Sequence, residues 1–400
     1  MEILIVHNYY QQSGGEDQVF TDEANLLEAQ GHQVLRYTVH NNAVANINPM
    51  TLAGVTVWNR TIYRELRQLL RQEKPQVVHF HNSFPLISPA AYYAARAEGV
   101  PVVQTLHNYR LLCPSAVFFR DGQVCEDCLG KFVPWPGVVH ACYKGSRATT
   151  GMVAAMLTVH RVLRTWTETV DLYIALTQFA RQKFIQGGFP AEKIVVKPNF
   201  VHPDPGPGEG CGGYALFVGR LSPEKGIGLL LRAWEKLRGK VALKIVGDGP
   251  LAPQVLKEVG RLPGVEWLER KSSDEVYELM GKAKMLILPS EWYETFGRVA
   301  VEAFAKGTPV IAANIGAVAE LVESGRTGLN FRPGDPEDLA AKVEWALTHP
   351  DVLARMRQEA RAEFEAKYTA EQNYQILMEI YERVGTCKKR SPTGERFLFS

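Results

Sequence analysis

No stretch of this 400-residue chain reaches the roughly 18 apolar residues that a membrane-spanning helix needs, which argues against a transmembrane protein. Charge of neither sign predominates. Forty-five Lys and Arg face 43 Asp and Glu, a net +2, so no basic field marks a nucleic-acid partner. The composition of a disordered chain is absent too, since 46% hydrophobic and 22% charged residues allow sizeable cores. The opening Met1-Glu2-Ile3-Leu4-Ile5-Val6-His7 is too short and too acidic for a secretory leader and reads as a buried strand, so a cytoplasmic protein is expected. A full dinucleotide fingerprint is missing. Ser13-Gly14-Gly15-Glu16-Asp17 follows the first strand but extends no further, which argues against NAD. No lysine site for pyridoxal phosphate stands out.

What is present is a doubled α/β pattern. Length alone suggests two domains, by a prior of about 150 residues each. Short apolar strands alternating with amphipathic helices predict parallel sheets with crossover helices. The apolar runs predict strands at 2–7, 33–38, 76–80, 101–105, 172–176 and 194–197. Four prolines and two glycines across 198–208 then read as a linker. A second series predicts strands at 214–218, 241–246, 264–267, 285–288 and 309–311. The expected division is an N-terminal Rossmann-like domain over 1–200 and a second over 209–367. A helix over about 370–385 and a mobile tail over 386–400 follow. Ligands of such sheets bind at the carboxyl ends of the strands, so the cleft between the two domains is the expected site.

Three segments carry the chemistry. Glu294 and Glu302 lie in Ser290-Glu291-Trp292-Tyr293-Glu294-Thr295-Phe296-Gly297-Arg298-Val299-Ala300-Val301-Glu302, after the strand Met285-Leu286-Ile287-Leu288. Good helix formers follow, so both acids are expected at the start of a helix, about 12 Å apart. A helix N-terminus between two acids suits a phosphate with a hydroxyl acceptor at each end. Upstream, Phe217-Val218-Gly219-Arg220-Leu221-Ser222-Pro223-Glu224-Lys225-Gly226 is a strand, a glycine turn and two cations. Such cations can hold a diphosphate and neutralise a leaving group, and no Asp-x-Asp metal motif lies near them. Between the two lies Lys244-Ile245-Val246-Gly247-Asp248-Gly249-Pro250, a strand and tight turn.

This ordered set resembles the retaining GT-B glycosyltransferases of family 4. The resemblance covers most of the chain and is strongest over 214–335. It implies an α/β fold of two Rossmann-like domains facing across a cleft. It also implies a hexosyl transfer from a nucleotide-diphosphate sugar to a saccharide or lipid-linked saccharide, metal-independent and with retained anomeric configuration. Arg220 and Lys225 would bind the pyrophosphate, Glu302 the ribose and Glu294 the donor sugar. Thr295, Phe296 and Gly297 would offer backbone N–H groups, with a side chain at 297 obstructing the phosphate. Gly14 and Gly15 would let backbone approach the donor from the first domain. His107 falls where a histidine contacts the sugar and helps stabilise the transition state. Aspartate often follows it, but here Asn108 does, leaving the histidine without an evident carboxylate. His79 and His81 are rivals that read as structural. The last helix would cross back onto the first domain. No carboxylate pair like that of a retaining glycosidase stands out, so front-face displacement is favoured. A nucleotide-sugar epimerase, a glycan phosphorylase and a non-catalytic nucleotide-sugar-binding module are the rival readings.

Two further features remain. Cys113, Cys125, Cys128 and Cys142 fall within thirty residues, with His140 an alternative ligand. A structural zinc is the first reading, and buried thiols or disulfides are the others. Arg60, Arg64, Arg67 and Arg71 recur at helical spacing near Trp58 and Tyr63, and residues 152–166 mix apolar and basic side chains. These are either a solvated face and a core helix or a docking surface for the inner face of a membrane.

Overall fold

The structure is a computed structural model and describes residues 1–12 and 14–388. In chain order the strands are β1 (Glu2–Tyr9), β2 (Gln33–His40), β3 (Val77–Asn82), β4 (Val102–Leu106), β5 (Phe119–Arg120), β6 (Gln123–Val124), β7 (Leu172–Ala175), β8 (Ile194–Val196), β9 (Tyr214–Val218), β10 (Ala242–Val246), β11 (Val265–Trp267), β12 (Met285–Leu288), β13 (Val310–Ala313) and β14 (Gly328–Phe331). One six-stranded sheet runs β2-β1-β3-β4-β7-β8, and a second runs β11-β10-β9-β12-β13-β14. Both are parallel throughout. Helices therefore cover both faces, which is why Ile3, Leu4, Ile5 and Val6 are all fully buried rather than alternating.

Each sheet reverses its winding once, between β1 and β3 in the first lobe and between β9 and β12 in the second. Loops leaving the carboxyl ends of those strands diverge to opposite faces and open a crevice. The two crevices carry the residues singled out above.

All the expected strands form. The short β14 and the antiparallel hairpin β5–β6 were not expected. The opening helix is Gly15–Ala29. The last helix is Ala370–Lys388, so 386–388 is helical rather than tail. The rest of the expected tail lies outside the described residues. That helix returns to the first lobe, where Leu377, Ile380, Tyr381 and Val384 share an apolar cluster with Ile3, Ile5 and Phe20.

The Pro/Gly-rich connection is fastened to the second lobe. Gly208, Gly210 and Gly212 donate backbone bonds to Lys306, Gly281 and Lys282 at 2.9, 2.9 and 2.8 Å. Hydrogen bonds also bridge the lobes. Thr295 Oγ1 donates to the His107 carbonyl at 2.7 Å, and Tyr109 Oη to the Glu294 carbonyl at 3.3 Å. The Glu320 carboxylate accepts from the N–H groups of Gln178 and Phe179, at the start of helix Gln178–Gln186, at 2.9 and 2.7 Å.

Candidate functional site

The second lobe's crevice is assembled by glycine. Gly226 has φ +71°, and an added Cβ would lie 1.8 Å from the carbonyl oxygen of Pro289. Only glycine lets the loop after β9 lie this close to the loop after β12. Glu291 N–H donates to the Glu224 carbonyl at 2.9 Å and stitches the two together. The consequence is a Lys225 Nζ to Glu294 Oε1 bond of 2.8 Å, between residues far apart in sequence.

Glu294 is only 9% exposed. Its Oε1 also accepts from Ser290 Oγ at 2.7 Å. Burial works against its charge, but the Lys225 ammonium, with hydrogen bonds from Lys225, Ser290 and Trp292, outweighs burial and holds the carboxyl below its ordinary range. Lys225 lies 5.1 Å from the centre of the Trp292 ring as well. Arg220, in the same loop, is exposed and makes no ion pair or side-chain hydrogen bond among the described residues.

One expectation about this segment needs correction. The helix begins at Arg298 and runs to Ala305, so Glu294 precedes it and only Glu302 is helical. The separation of the two acids is therefore not a helical rise. Glycine at 297 also has a reason within the fold. Its φ is +101°, so the turn itself calls for glycine, while an added Cβ would only touch Leu321 and Val318 at 3.4 Å. Phe296 is buried in the core of this lobe. Glu302 Oε1 accepts from Arg298 Nε at 2.9 Å, and the same guanidinium reaches Asp22 of the first lobe at 2.9 Å.

On the first lobe, Gly14 and Gly15 are exposed, and an added Cβ at either would meet nothing within 4 Å. Gly14 is extended, with φ −132°. The fold itself does not require glycine at either place. Next to them Glu16 accepts from Tyr10 Oη at 3.1 Å and Asn108 Nδ2 at 3.2 Å, while its Oε1 is buried without a partner. Burial dominates and pushes this carboxyl up to about 8, against the two hydrogen bonds.

His107 is the largest departure from expectation. Its Nε2 lies 3.0 Å from Nδ1 of His81. His81 Nε2 in turn lies 3.2 Å from Oε1 of Glu23. A carboxylate thus stands behind the histidine after all, reached through a second imidazole rather than the neighbouring residue. His79 Nδ1 is 3.0 Å from the same oxygen, and Lys197 Nζ is 2.8 Å from Oε2. Period-two spacing of His79 and His81 on β3 was the available signal, since it puts both on one sheet face. A pocket opens beside His107, lined in part by Tyr10, Asn82, Phe84, Asn108 and Arg110.

The four cysteines Cys113, Cys125, Cys128 and Cys142 line a single pocket next to hairpin β5–β6. All are free thiols, which removes the disulfide reading. Burial, then the neighbouring Cys113, pushes the Cys128 thiol up to about 12. No three of the sulfurs lie within 4.8 Å of one another. Among the described residues that spacing is met by Glu23, His79 and His81. His140 is exposed and does not line the pocket. The basic face is reduced too, because Arg67 and Arg71 are held by Glu98 at 2.6 and 3.0 Å. In the other candidate segment Met156, Leu157 and Trp166 are buried, and His160 bonds to Thr165 and the Val57 carbonyl. No helix among the described residues is long and apolar enough to cross a membrane.

Comparison with known proteins agrees with this geometry. Residues 212–363 match the family described as glycosyl transferases group 1, and residues 13–205 match glycosyltransferase family 4. An uncharacterised glycosyltransferase of Methanocaldococcus jannaschii is 35% identical over 178 residues, 44% of this chain and 50% of that protein. The alpha-D-kanosaminyltransferase of Streptomyces kanamyceticus is 27% identical over 80% of each chain. The match spans about half the length of the Methanocaldococcus protein, and 43% of a glycogen synthase of Mycobacterium tuberculosis that is 33% identical over 187 residues. Among solved structures, Anabaena HepE in complex with UDP and glucose superposes with a TM-score of 0.69 at 20% identity, covering 96% of this chain and 100% of that one. At that identity the likeness speaks to the fold.

Proposed function

Given that the chain belongs to the group 1, family 4 glycosyltransferases, we propose that it transfers a hexosyl unit from a nucleoside-diphosphate sugar to a saccharide acceptor, with retention and without a catalytic metal. The observation that carries this reading is the Lys225–Glu294 pair at the β9/β12 crevice, with the unpaired Arg220 in the same loop. Arg220 and Lys225 bind the diphosphate and take up charge as it leaves. Sugar hydroxyls then replace Lys225 at Glu294, while Glu302 accepts from the ribose. Gly14 and Gly15 leave open space that the donor can approach. Zinc, in this reading, is structural: the four thiols fit a soft cation, which would have to draw their sulfurs together. Metal analysis of reductively purified protein tests this, and protein free of zinc refutes it.

In the transfer itself, the bond from the anomeric carbon to the phosphate oxygen breaks. The acceptor oxygen bonds to the same face, and its proton passes to the departing phosphate oxygen. A double displacement would need a second, ionised carboxylate about 5 Å from its partner. Glu16, pushed up to about 8, is protonated at neutral pH and is not a ready nucleophile. The pocket beside His107 is the place for the acceptor. A free saccharide is favoured over a lipid-linked one, because Glu98 already holds two of the four arginines that would meet a membrane. The UDP complex of the solved relative makes uridine donors the first to test. Purified Glu294→Ala should lose turnover by at least about 100-fold while keeping the wild-type circular dichroism spectrum. Wild-type turnover in that variant refutes the assignment, and activity abolished by EDTA in protein that keeps its zinc refutes metal independence.

A further inference from the structure

We propose that Glu23 and His81 are positioning residues that fix His107 as a single tautomer, protonated at Nε2 and bare at Nδ1, so that it meets its substrate as a hydrogen-bond acceptor. That His107 meets the donor sugar is what the family resemblance implies and rests on the proposed transfer; the tautomer and its cause do not.

Glu23 sits on helix Gly15–Ala29 and is 1% exposed. Its Oε2 is bonded to the Lys197 ammonium, itself 1% exposed and held also by Asn373 Oδ1 at 3.1 Å. Burial opposes the charge on Glu23, but Lys197, then His79, then the imidazole hydrogen bonds hold it well below its ordinary range. An ionised carboxylate has no proton to give. The 3.2 Å contact to His81 Nε2 is not a formed hydrogen bond, and neither atom has another hydrogen-bond partner, but a bare nitrogen lone pair facing the carboxylate would repel it, so the proton lies on the imidazole side. A neutral His81 protonated at Nε2 has a bare Nδ1. The 3.0 Å bond to His107 can then be made only if His107 Nε2 carries the hydrogen. This leaves His107 Nδ1, which has no protein partner among the described residues.

The neutrality that this chain of donors requires is supplied by the surroundings. His81 is 2% exposed, and burial followed by the neighbouring His79 brings it down to about 3. Burial, then His81 and His7, holds His107 well below the usual imidazole value. Lys197 already supplies the positive charge beside Glu23, so the close approach of Glu23, His79 and His81 is read as a proton-ordering cluster, not a cation site. The His79 ring is fixed from both sides, by Tyr381 Oη at Nδ1 and Thr105 Oγ1 at Nε2, each at 2.8 Å.

The test is the 15N spectrum of the full chain labelled at histidine, with His107 identified by its loss in His107→Gln. The expected spectrum at pH 7 has a protonated-type Nε2 and a bare-type Nδ1. In the charge-balanced variant Glu23→Gln with Lys197→Met, the introduced amide can donate to His81. Because the amide can also accept, the proton order is no longer imposed, and His107 becomes a mixture of both neutral tautomers. Turnover of that variant should fall, with KM for the acceptor little changed. A wild-type spectrum showing Nδ1 protonated overturns the proposal, as does a folded double variant with an unchanged tautomer. If the double variant does not fold, the wild-type spectrum alone decides. Because the spectrum is read without substrate, it stands whether or not the transfer reaction does.

Discussion

Replacing Lys225 by Met isolates what the ammonium does for Glu294. The isostere keeps the stem and removes a charge 2.8 Å from Oε1. Breaking a fully buried ion pair costs about 3–5 kcal/mol. Here the side chains are 25% and 11% exposed and the Ser290 bond remains, which brings the expectation to about 1–3 kcal/mol. The loss must also depend on pH. In the native protein the Glu294 carboxyl is depressed, so its contribution is present above the unfolded value and is lost as pH falls through the folded one. In Lys225→Met burial is left to act nearly alone and raises that carboxyl. Its penalty is then absent at low pH and grows as pH rises past the unfolded value, about 4.3. Thermal unfolding followed by circular dichroism should show Lys225→Met melting about 2–12 °C below wild type at pH 8, using about 2–4 °C per kcal/mol for a lobe of this size. Near pH 4.5 the gap should be smaller than at pH 8, because the variant's penalty has gone, and it should close only as pH falls through the depressed native value. An equal gap at both pH values, or none at pH 8, would refute the idea that the pair holds a buried charge.

Other expectations can be checked in the same way. Gly226→Ala should destabilise by more than the roughly 1–2 kcal/mol of a left-handed alanine, because its Cβ would also meet Pro289 O at 1.8 Å; a melting temperature within 2 °C of wild type would contradict this close approach. Glu16 is raised to about 8, so its stabilising share is complete below about 4.5 and is lost as pH rises toward 8. Glu16→Gln should flatten the decline in melting temperature over that window, and an identical decline in both proteins would place the titrating group elsewhere.

The strands were legible because parallel strands buried on both faces read as continuous apolar runs. Residue by residue, Ile3-Leu4-Ile5-Val6 or Met285-Leu286-Ile287-Leu288 can hardly be anything else. Edge strand β14, Gly-Leu-Asn-Phe, carries a glycine and a polar residue in four positions and gives no such run. The hairpin β5–β6 has two residues per strand, below any useful period. In the crevice, residue types were legible and partnerships were not. Lys225 and Glu294 looked like two separate ligands of a substrate, whereas the close approach at Gly226 joins them directly. His81 looked structural because the carboxylate that gives it meaning, Glu23, lies on a helix far away in sequence. The start of the helix at Arg298 was misplaced because Thr295 and Phe296 are consistent with a first turn; the left-handed Gly297 ends that option.

The returning helix Ala370–Lys388 has a consequence for how the chain is made. The first lobe's sheet is complete at Val196, yet its apolar cluster still lacks Leu377, Ile380, Tyr381 and Val384. On a ribosome working at about 5–20 residues per second, roughly 10–40 s pass before those side chains are synthesised. Throughout that interval Ile3, Ile5 and Phe20 want their cover, and Lys197 and His79 lack Asn373 and Tyr381. The second lobe, wholly contained between, can finish first. The part of the protein translated earliest is therefore the last to be sealed, and damage at the C-terminal end of this helix would be felt at the first strand.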